Sequence, residues 1–474
     1  MLTRTAYEDS LLSFWPRVRD YAVPPTMIET ATARRRCGDW AGACTAAGFD
    51  IDLDLRSLAR THGRALVSQV RADLRYLAPD LLRWHMPRVT PDGLLRPGLT
   101  STLARYERAG SDGMHPVHLV VRTPPAWADG GQRISLALWD GTHGGSHDRF
   151  SFDTGARRHP HPRPSRRYRF DLHRHLWDTR RTDELRVRSG ADRPTGDTRP
   201  WDADPPEPLP QDLGCAVDRW AAEAAILLQD EGRTTGTVTV RLGTRQWLHL
   251  ELLPGPAGVE RPTLRIAAAP ADGSVPSVPV LPDAATWVLP DLALVRAGAI
   301  EAERLHPLVA SALVPEHTPA AYTGNADPAG QPRLVECRGA RHRIGLVDGV
   351  LAALDHAPAE IRREELLVAL TGTPLPCLQA IDEAHRQPHC LSGVRERLRH
   401  GDTAGALAVV EGLLGPDAVL RSGDLQDELQ AAALRRVTYG LFRAGLTGPG
   451  PDRLRPGPAR PRNHRSRPRD TTGR

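Results

Sequence analysis

The spacing of apolar residues changes along this chain, and that change limits the folds open to it. From about 26 to 110, apolar residues recur every three or four positions, which predicts helices. At 117–122 and 133–139 the chain has short runs of β-branched and apolar residues, which predict strands. Helical spacing returns from 360 to 446. We therefore predict an α+β protein, with helical N- and C-terminal regions flanking mainly antiparallel β segments.

The length of the chain predicts more than one domain. It has 474 residues, whereas a domain typically holds about 100–200 residues. We predict a helical region at 1–110, an antiparallel β region with a basic His/Arg-rich loop at 111–190, a linker at 191–211, an α+β region at 212–330, a β-meander followed by helices at 331–446, and a disordered Arg/Pro tail at 447–474.

Two further runs alternate arginine with apolar residues. These runs are 166–172 and 184–189, and the alternation predicts strands with one wet, basic face. Such a face could contact nucleic acid or an acidic partner. Its candidate contact residues are Arg166, Arg167, Arg169, Arg186 and Arg188.

Strands are also predicted in the two regions that follow. Three runs of alternating residues lie at 237–242, 247–253 and 263–269. Farther on, Asp348-Gly349 separates two apolar runs and predicts a two-residue hairpin turn.

The sequence contains no lysine, so all 62 residues counted as Lys or Arg are arginines. Chemistry that needs a lysine ammonium is therefore excluded in its usual form. This removes P-loop NTPases, protein kinases and Schiff-base enzymes such as those using pyridoxal phosphate. The catalytic motifs G-x-S-x-G, H-E-x-x-H and a strand-linked G-x-G-x-x-G are also absent.

Compartment is inferred from three features. Met1 to Trp15 lacks the apolar core of a signal peptide, and no run approaches 18 apolar residues. The six cysteines are widely spaced, which does not resemble a disulfide framework. We expect a soluble cytoplasmic protein without membrane contact.

Positive charge is concentrated in two segments. The segment 156–199 has thirteen Arg against six acidic residues, and 451–474 has eight Arg against two. With a net charge of +5 overall, the remainder is acidic. Both segments could bind nucleic acid phosphates.

A concentration of histidines and aspartates between 140 and 175 could bind a metal. No cofactor is otherwise predicted, and zinc or another divalent metal is the alternative considered at this site. Its ligands would be His143, His147, His173 and His175, and the chemistry would be metal-dependent hydrolysis.

Two other groups of cysteine and histidine can be drawn from the sequence. Cys337 and His342 flank a turn and could form a thiol with its base. A second group could approach a zinc-ligand set, although its spacing matches no known zinc finger. Its members are Cys377, His385, His389 and Cys390.

Two short patterns bear on local structure. The acidic run at 50–55 lacks the glycine and glutamate of an EF-hand, so we predict an edge strand or a helix N-terminus there. The hexapeptides at 38–43 and 401–406 agree at five of six positions. In both, an aspartate is expected to cap a helix.

Taken as a sequence, the chain is most consistent with a non-catalytic intracellular interaction protein that binds an unknown protein partner. The alternatives are a nucleic-acid-associated protein and the metal-dependent hydrolase. The sequence leaves open the activity, the partner and the oligomeric state.

Overall fold

The computed structural model of the protein describes residues 4–107, 116–128, 130–141, 159, 161–193, 214–243, 246–253, 263–268, 278–317, 333–372 and 374–446. Helices lie at both ends, and antiparallel sheets lie between them. The α+β prediction is confirmed. In the part of the chain that is described, no helix combines the length and apolar character needed to cross a membrane.

Six helices form the N-terminal layer. The apolar stripes of the fourth to sixth helices turn inward, and residues such as Leu66, Val70 and Leu74 are buried. The helices are α1 (Arg4–Ala22), α2 (Pro25–Arg36), α3 (Trp40–Ala46), α4 (Leu55–His62), α5 (Arg64–Tyr76) and α6 (Pro79–His85).

A four-stranded sheet packs against these helices. Its strand order is β1-β6-β5-β4, with β1 and β6 parallel and the other pairs antiparallel. A short hairpin of β2 and β3 precedes β4. The strands are β1 (Phe49–Asp52), β2 (Arg88–Val89), β3 (Leu94–Leu95), β4 (Thr100–Tyr106), β5 (Val117–Arg122) and β6 (Ile134–Trp139).

The predicted strands at 117–122 and 133–139 are confirmed, whereas the prediction of helix throughout 26–110 is wrong at β1, β2, β3 and β4. In β4 every residue except Arg105 is buried. A strand covered on both faces loses the alternation that distinguishes it from a helix. The acidic run at 50–55 forms both features expected of it, since β1 is an edge strand and Asp54 caps α4.

The largest hydrophobic core crosses three predicted regions. It joins the N-terminal helices and the four-stranded sheet to residues between 170 and 185 and between 288 and 314. The predicted division at residue 110 therefore does not coincide with a gap between cores. The later helices that contribute are α7 (Glu184–Ser189), α10 (Pro290–Arg296) and α11 (Pro307–Leu313).

The two predicted arginine-rich strands are wrong. Residues 166–172 are irregular, and 184–189 form the helix α7. Leu185 is the only buried residue of α7. A six-residue run with so few apolar positions does not distinguish the spacing of a helix from the alternation of a strand. Gly190, with φ +77°, ends the helix in a left-handed conformation.

A second core lies between α8 and a three-stranded antiparallel sheet. The strands agree with those predicted from 237 to 269 to within one residue. These elements are α8 (Trp220–Asp230), β7 (Gly236–Arg241), β8 (Trp247–Leu253) and β9 (Thr263–Ala268), and α9 (Asp283–Thr286) follows.

The C-terminal part begins with a three-stranded meander and continues as helices, as predicted. Asp348 and Gly349 have φ +48° and +75°, so they form the expected two-residue turn of the I′ class. The elements are β10 (Arg333–Cys337), β11 (Ala340–Val347), β12 (Val350–Ala353), α12 (Pro358–Thr371), α13 (Pro376–Arg386), α14 (Leu391–His400), α15 (Thr403–Leu414) and α16 (Asp424–Ala444).

The two matching hexapeptides form the same local structure. Asp39 accepts a hydrogen bond from the Gly42 amide at the start of α3, and Asp402 accepts one from Gly405 at the start of α15. Both predicted caps are confirmed. Each hexapeptide joins two helices, but two copies do not establish a repeat.

Candidate metal centre

Four side chains converge in the C-terminal part of the protein. Their candidate ligand atoms all lie within 4.8 Å of one another. The His342 Nδ1 atom is 2.8 Å from His356 Nε2, and that nitrogen is 3.8 Å from the Cys337 sulfur. The residues are Cys337, His342, His356 and Cys377.

The β10–β11 hairpin positions Cys337 and His342. Cys337 ends β10, and the turn that follows has positive φ at Arg338 and Gly339. His342 pairs with Val335 in the ladder, so it lies on the same face as Cys337 two residues further along β10. A tight hairpin thus presents a thiol and an imidazole to one side.

His356 is held in a defined orientation from its other side. Its Nδ1 atom lies 3.4 Å from the Glu360 carboxylate, one turn into α12, and its side chain is only 4% exposed. A neutral imidazole that donates from Nδ1 to a carboxylate leaves Nε2 free to bind a metal. Nε2 is the atom that faces Cys337 and His342.

Cys377 completes the group from α13. It lies in the first turn of this helix, where the helix dipole favours a thiolate. Burial, together with the neighbouring Cys337, raises the pKa of its thiol to about 11. In the metal-free protein this thiol is therefore protonated at neutral pH, and a bound cation would have to displace its proton.

This donor set fits zinc. Two sulfur and two nitrogen ligands in a compact group are the composition of tetrahedral structural zinc sites. Both cysteines are fully buried, and His342 is half-buried. The ligands are 5, 14 and 21 positions apart, from 337 to 342, 356 and 377. That spacing is unlike those of zinc fingers.

Three of these residues were candidates in the sequence analysis, but they were assigned to two different groups. Cys337 and His342 do lie together, as members of a four-residue set. Cys377 joins them, so its predicted grouping with His385, His389 and Cys390 is wrong. His385 is buried and His389 is exposed, on either side of the end of α13.

The structure describes only two of the four histidines in the metal site predicted from the sequence. His143 and His147 lie outside the described residues. His173 and His175 are buried, and their rings meet edge to face at 5.7 Å. His173 lies 3.2 Å from Glu223. Within the described ranges, neither belongs to a convergent group of three or more candidate ligands.

The five candidate arginines do not share a sheet face. Three of them have carboxylate partners within the protein, so their charges are partly neutralised. Arg167 pairs with Asp283, Arg169 with Asp171 and Asp230, and Arg188 with Glu223. Arg186 donates to a backbone carbonyl, and Arg166 is exposed. The tail at 451–474 lies outside the described residues.

Comparisons with known proteins add nothing to this geometry. No protein-family model, no curated protein and no solved structure matches the chain.

Proposed function

We propose that this protein binds zinc in a structural role and that its function is the non-catalytic binding of another protein. The observation that carries the proposal is the convergence of four nitrogen and sulfur ligands. A site with four protein ligands leaves no open position for water or substrate, which is the arrangement of structural rather than catalytic zinc.

The position of the ligands supports a role in organising this part of the chain. Cys337 and His342 come from the meander, His356 from the turn between β12 and α12, and Cys377 from α13. One ion would therefore tie three separate elements together. Because the Glu360 carboxylate lies beside His356, the orientation of α12 would depend on the same ion.

Helix α12 is the surface that we assign to the partner. None of its residues with a described side chain is buried, and Leu366 and Leu370 are 70% and 84% exposed. A fourteen-residue helix gains most of its stability from packing an apolar face. We infer that an apolar groove on a partner protein receives these leucines.

The zinc site is tested by metal analysis of the purified protein. We expect about one zinc per chain, and we expect Cys337→Ser to remove it because three ligands bind far more weakly than four. Cys37→Ser is the matched control, since Cys37 is an exposed cysteine far from the cluster in sequence. A wild-type chain that neither copurifies with zinc nor takes it up on dialysis would refute the site.

The partner surface is tested through stability. The double variant Leu366→Gln with Leu370→Gln is expected to change the free energy of unfolding by less than about 0.5 kcal/mol, because both side chains are exposed. Leu398→Ala, at a 2% exposed position of α14, is expected to cost about 2–5 kcal/mol. Urea unfolding gives both values. A large loss in the double variant would mean that these leucines are core residues and not a binding surface.

A further inference from the structure

A cavity of about 260 Å³ lies beside the main core, far along the chain from the zinc ligands. It is bounded by α1, the end of α6, the irregular segment 167–170 and residues 283–290. Ligand pockets commonly measure about 300–1,000 Å³, so this cavity suits a molecule of one or two rings. Its aromatic walls include Trp15, Trp84, Tyr168 and Trp287.

Five arginines also line the cavity, against a single carboxylate, that of Asp283. Three of these arginines are neutralised by carboxylates of the protein and so leave no net charge for a ligand. The pairs are Arg19 with Asp291, Arg167 with Asp283 and Arg169 with Asp171.

Arg88 and Arg96 are the other two. Arg88 donates to the carbonyls of Gly93 and Arg83, while its Nε atom is buried without a hydrogen-bond partner. Arg96 is exposed at the cavity. Within the described ranges, neither guanidinium forms an ion pair with a carboxylate. The Asp283 carboxylate, which pairs with Arg167, also interacts electrostatically with Arg96, so the guanidinium groups of the lining outnumber its carboxylates.

The charge on Arg88 is costly to bury. Burial lowers the pKa of this guanidinium well below its usual value, and the nearby charges of Arg83 and Arg19 lower it further. A buried cation without a counter-charge destabilises the fold unless something neutralises it. A ligand anion in the adjoining cavity would do so.

We propose that this cavity binds a small aromatic acid, with its carboxylate or phosphate group at the exposed Arg96, near the buried charge of Arg88, and its ring among the aromatic walls. Guanidinium groups match both oxyanions in geometry, and aromatic side chains favour stacked or edge-on contact with a second ring. This proposal is independent of the zinc site.

The test is calorimetric titration of the full chain as purified with three probes of one shape: 2-naphthoate, 2-naphthyl phosphate and the neutral 2-naphthamide. We expect at least one anion to bind ten or more times more tightly than the amide. The stronger of the two anions identifies the headgroup. Equal binding of all three probes, or no binding at millimolar concentration, would overturn the proposal.

Arg96→Gln removes one positive charge without disturbing the fold, because this side chain is exposed. The variant is expected to weaken binding of the preferred anion about tenfold, the loss typical of one charge-assisted hydrogen bond. The affinity for the amide is expected to stay unchanged. Arg166→Gln, an exposed arginine outside the cavity lining, serves as the matched control. Equal effects of the two variants on anion binding would show that only the general surface charge matters and would refute the site.

Discussion

Replacing Asp291 with alanine is expected to lower the free energy of unfolding by about 3–5 kcal/mol, the cost of stranding a buried charge. The Asp291 carboxylate is fully buried, and it accepts hydrogen bonds from Arg19 Nε at 2.8 Å and from Trp84 Nε1 at 3.0 Å. The Arg19 guanidinium is 2% exposed and lies over the Trp84 ring at 4.3 Å. Without Asp291, that cation would lose its only carboxylate partner within the described part of the chain.

An exposed ion pair formed by the residue next to Arg19 on α1 provides the control. Asp20 pairs with Arg304 at 2.7 Å, but both side chains are more than 40% exposed. Asp20→Ala is therefore expected to cost no more than about 1 kcal/mol. Urea unfolding followed by tryptophan fluorescence compares the two variants. Equal losses would show that Asp291 is not the buried counter-charge that we describe.

A second variant separates the ion pair from the packing around it. Arg19→Met combined with Asp291→Leu replaces both charges with apolar side chains of similar size. Buried pairs replaced in this way often lose little stability. We expect the double variant to recover most of the loss caused by Asp291→Ala, because no charge is then left unpaired.

Local rules explain which elements could be predicted. The Asp348-Gly349 turn requires positive φ at both positions, and that residue pair is suited to it. The caps at Asp39 and Asp402 follow from side chains that satisfy amides within three residues. These features depend on neighbours in sequence, so an inspection of the sequence is sufficient.

Elements decided by distant contacts could not be predicted in this way. The α7 segment alternates arginine and apolar residues like a strand, yet the Arg188 guanidinium is held by Glu223 of α8. The partner of Arg19 is 272 positions away in sequence. Neither pairing changes the spacing of nearby residues. The sequence pattern therefore could not predict the helix or the ion pair.

The candidate metal site lies between these cases. Cys337 and His342 share a hairpin, and their proximity is visible in the sequence. His356 follows β12 and Cys377 begins α13, and only the meander and helix packing bring them to the hairpin. Histidine and cysteine counts could not indicate which distant residue would join, so the sequence grouped Cys377 with nearer residues instead.

The largest effect is expected at the proposed zinc site. The core beneath it has six buried apolar residues, and two of them are the cysteine ligands. A core this small supplies little stability alone, whereas structural zinc in small domains supplies about 10–16 kcal/mol of apparent binding free energy. We expect Cys377→Ser to raise amide hydrogen exchange across 333–386 by more than tenfold and to leave the strands at 117–139 protected. A chelator added to the wild-type protein should give the same pattern.

The pH dependence of zinc binding provides an independent check on the same ligand. Burial raises the pKa of the Cys377 thiol to about 11, so at neutral pH the thiol must lose its proton when zinc binds. Each proton released makes the apparent affinity fall about tenfold when the pH is lowered by one unit. We therefore expect zinc affinity to decrease at least tenfold from pH 8 to pH 7, as measured by competition with a chelator of known affinity. The Cys37→Ser control should keep both the wild-type affinity and this slope. An affinity independent of pH in this range would exclude Cys377 as a thiolate ligand that is protonated before zinc binds.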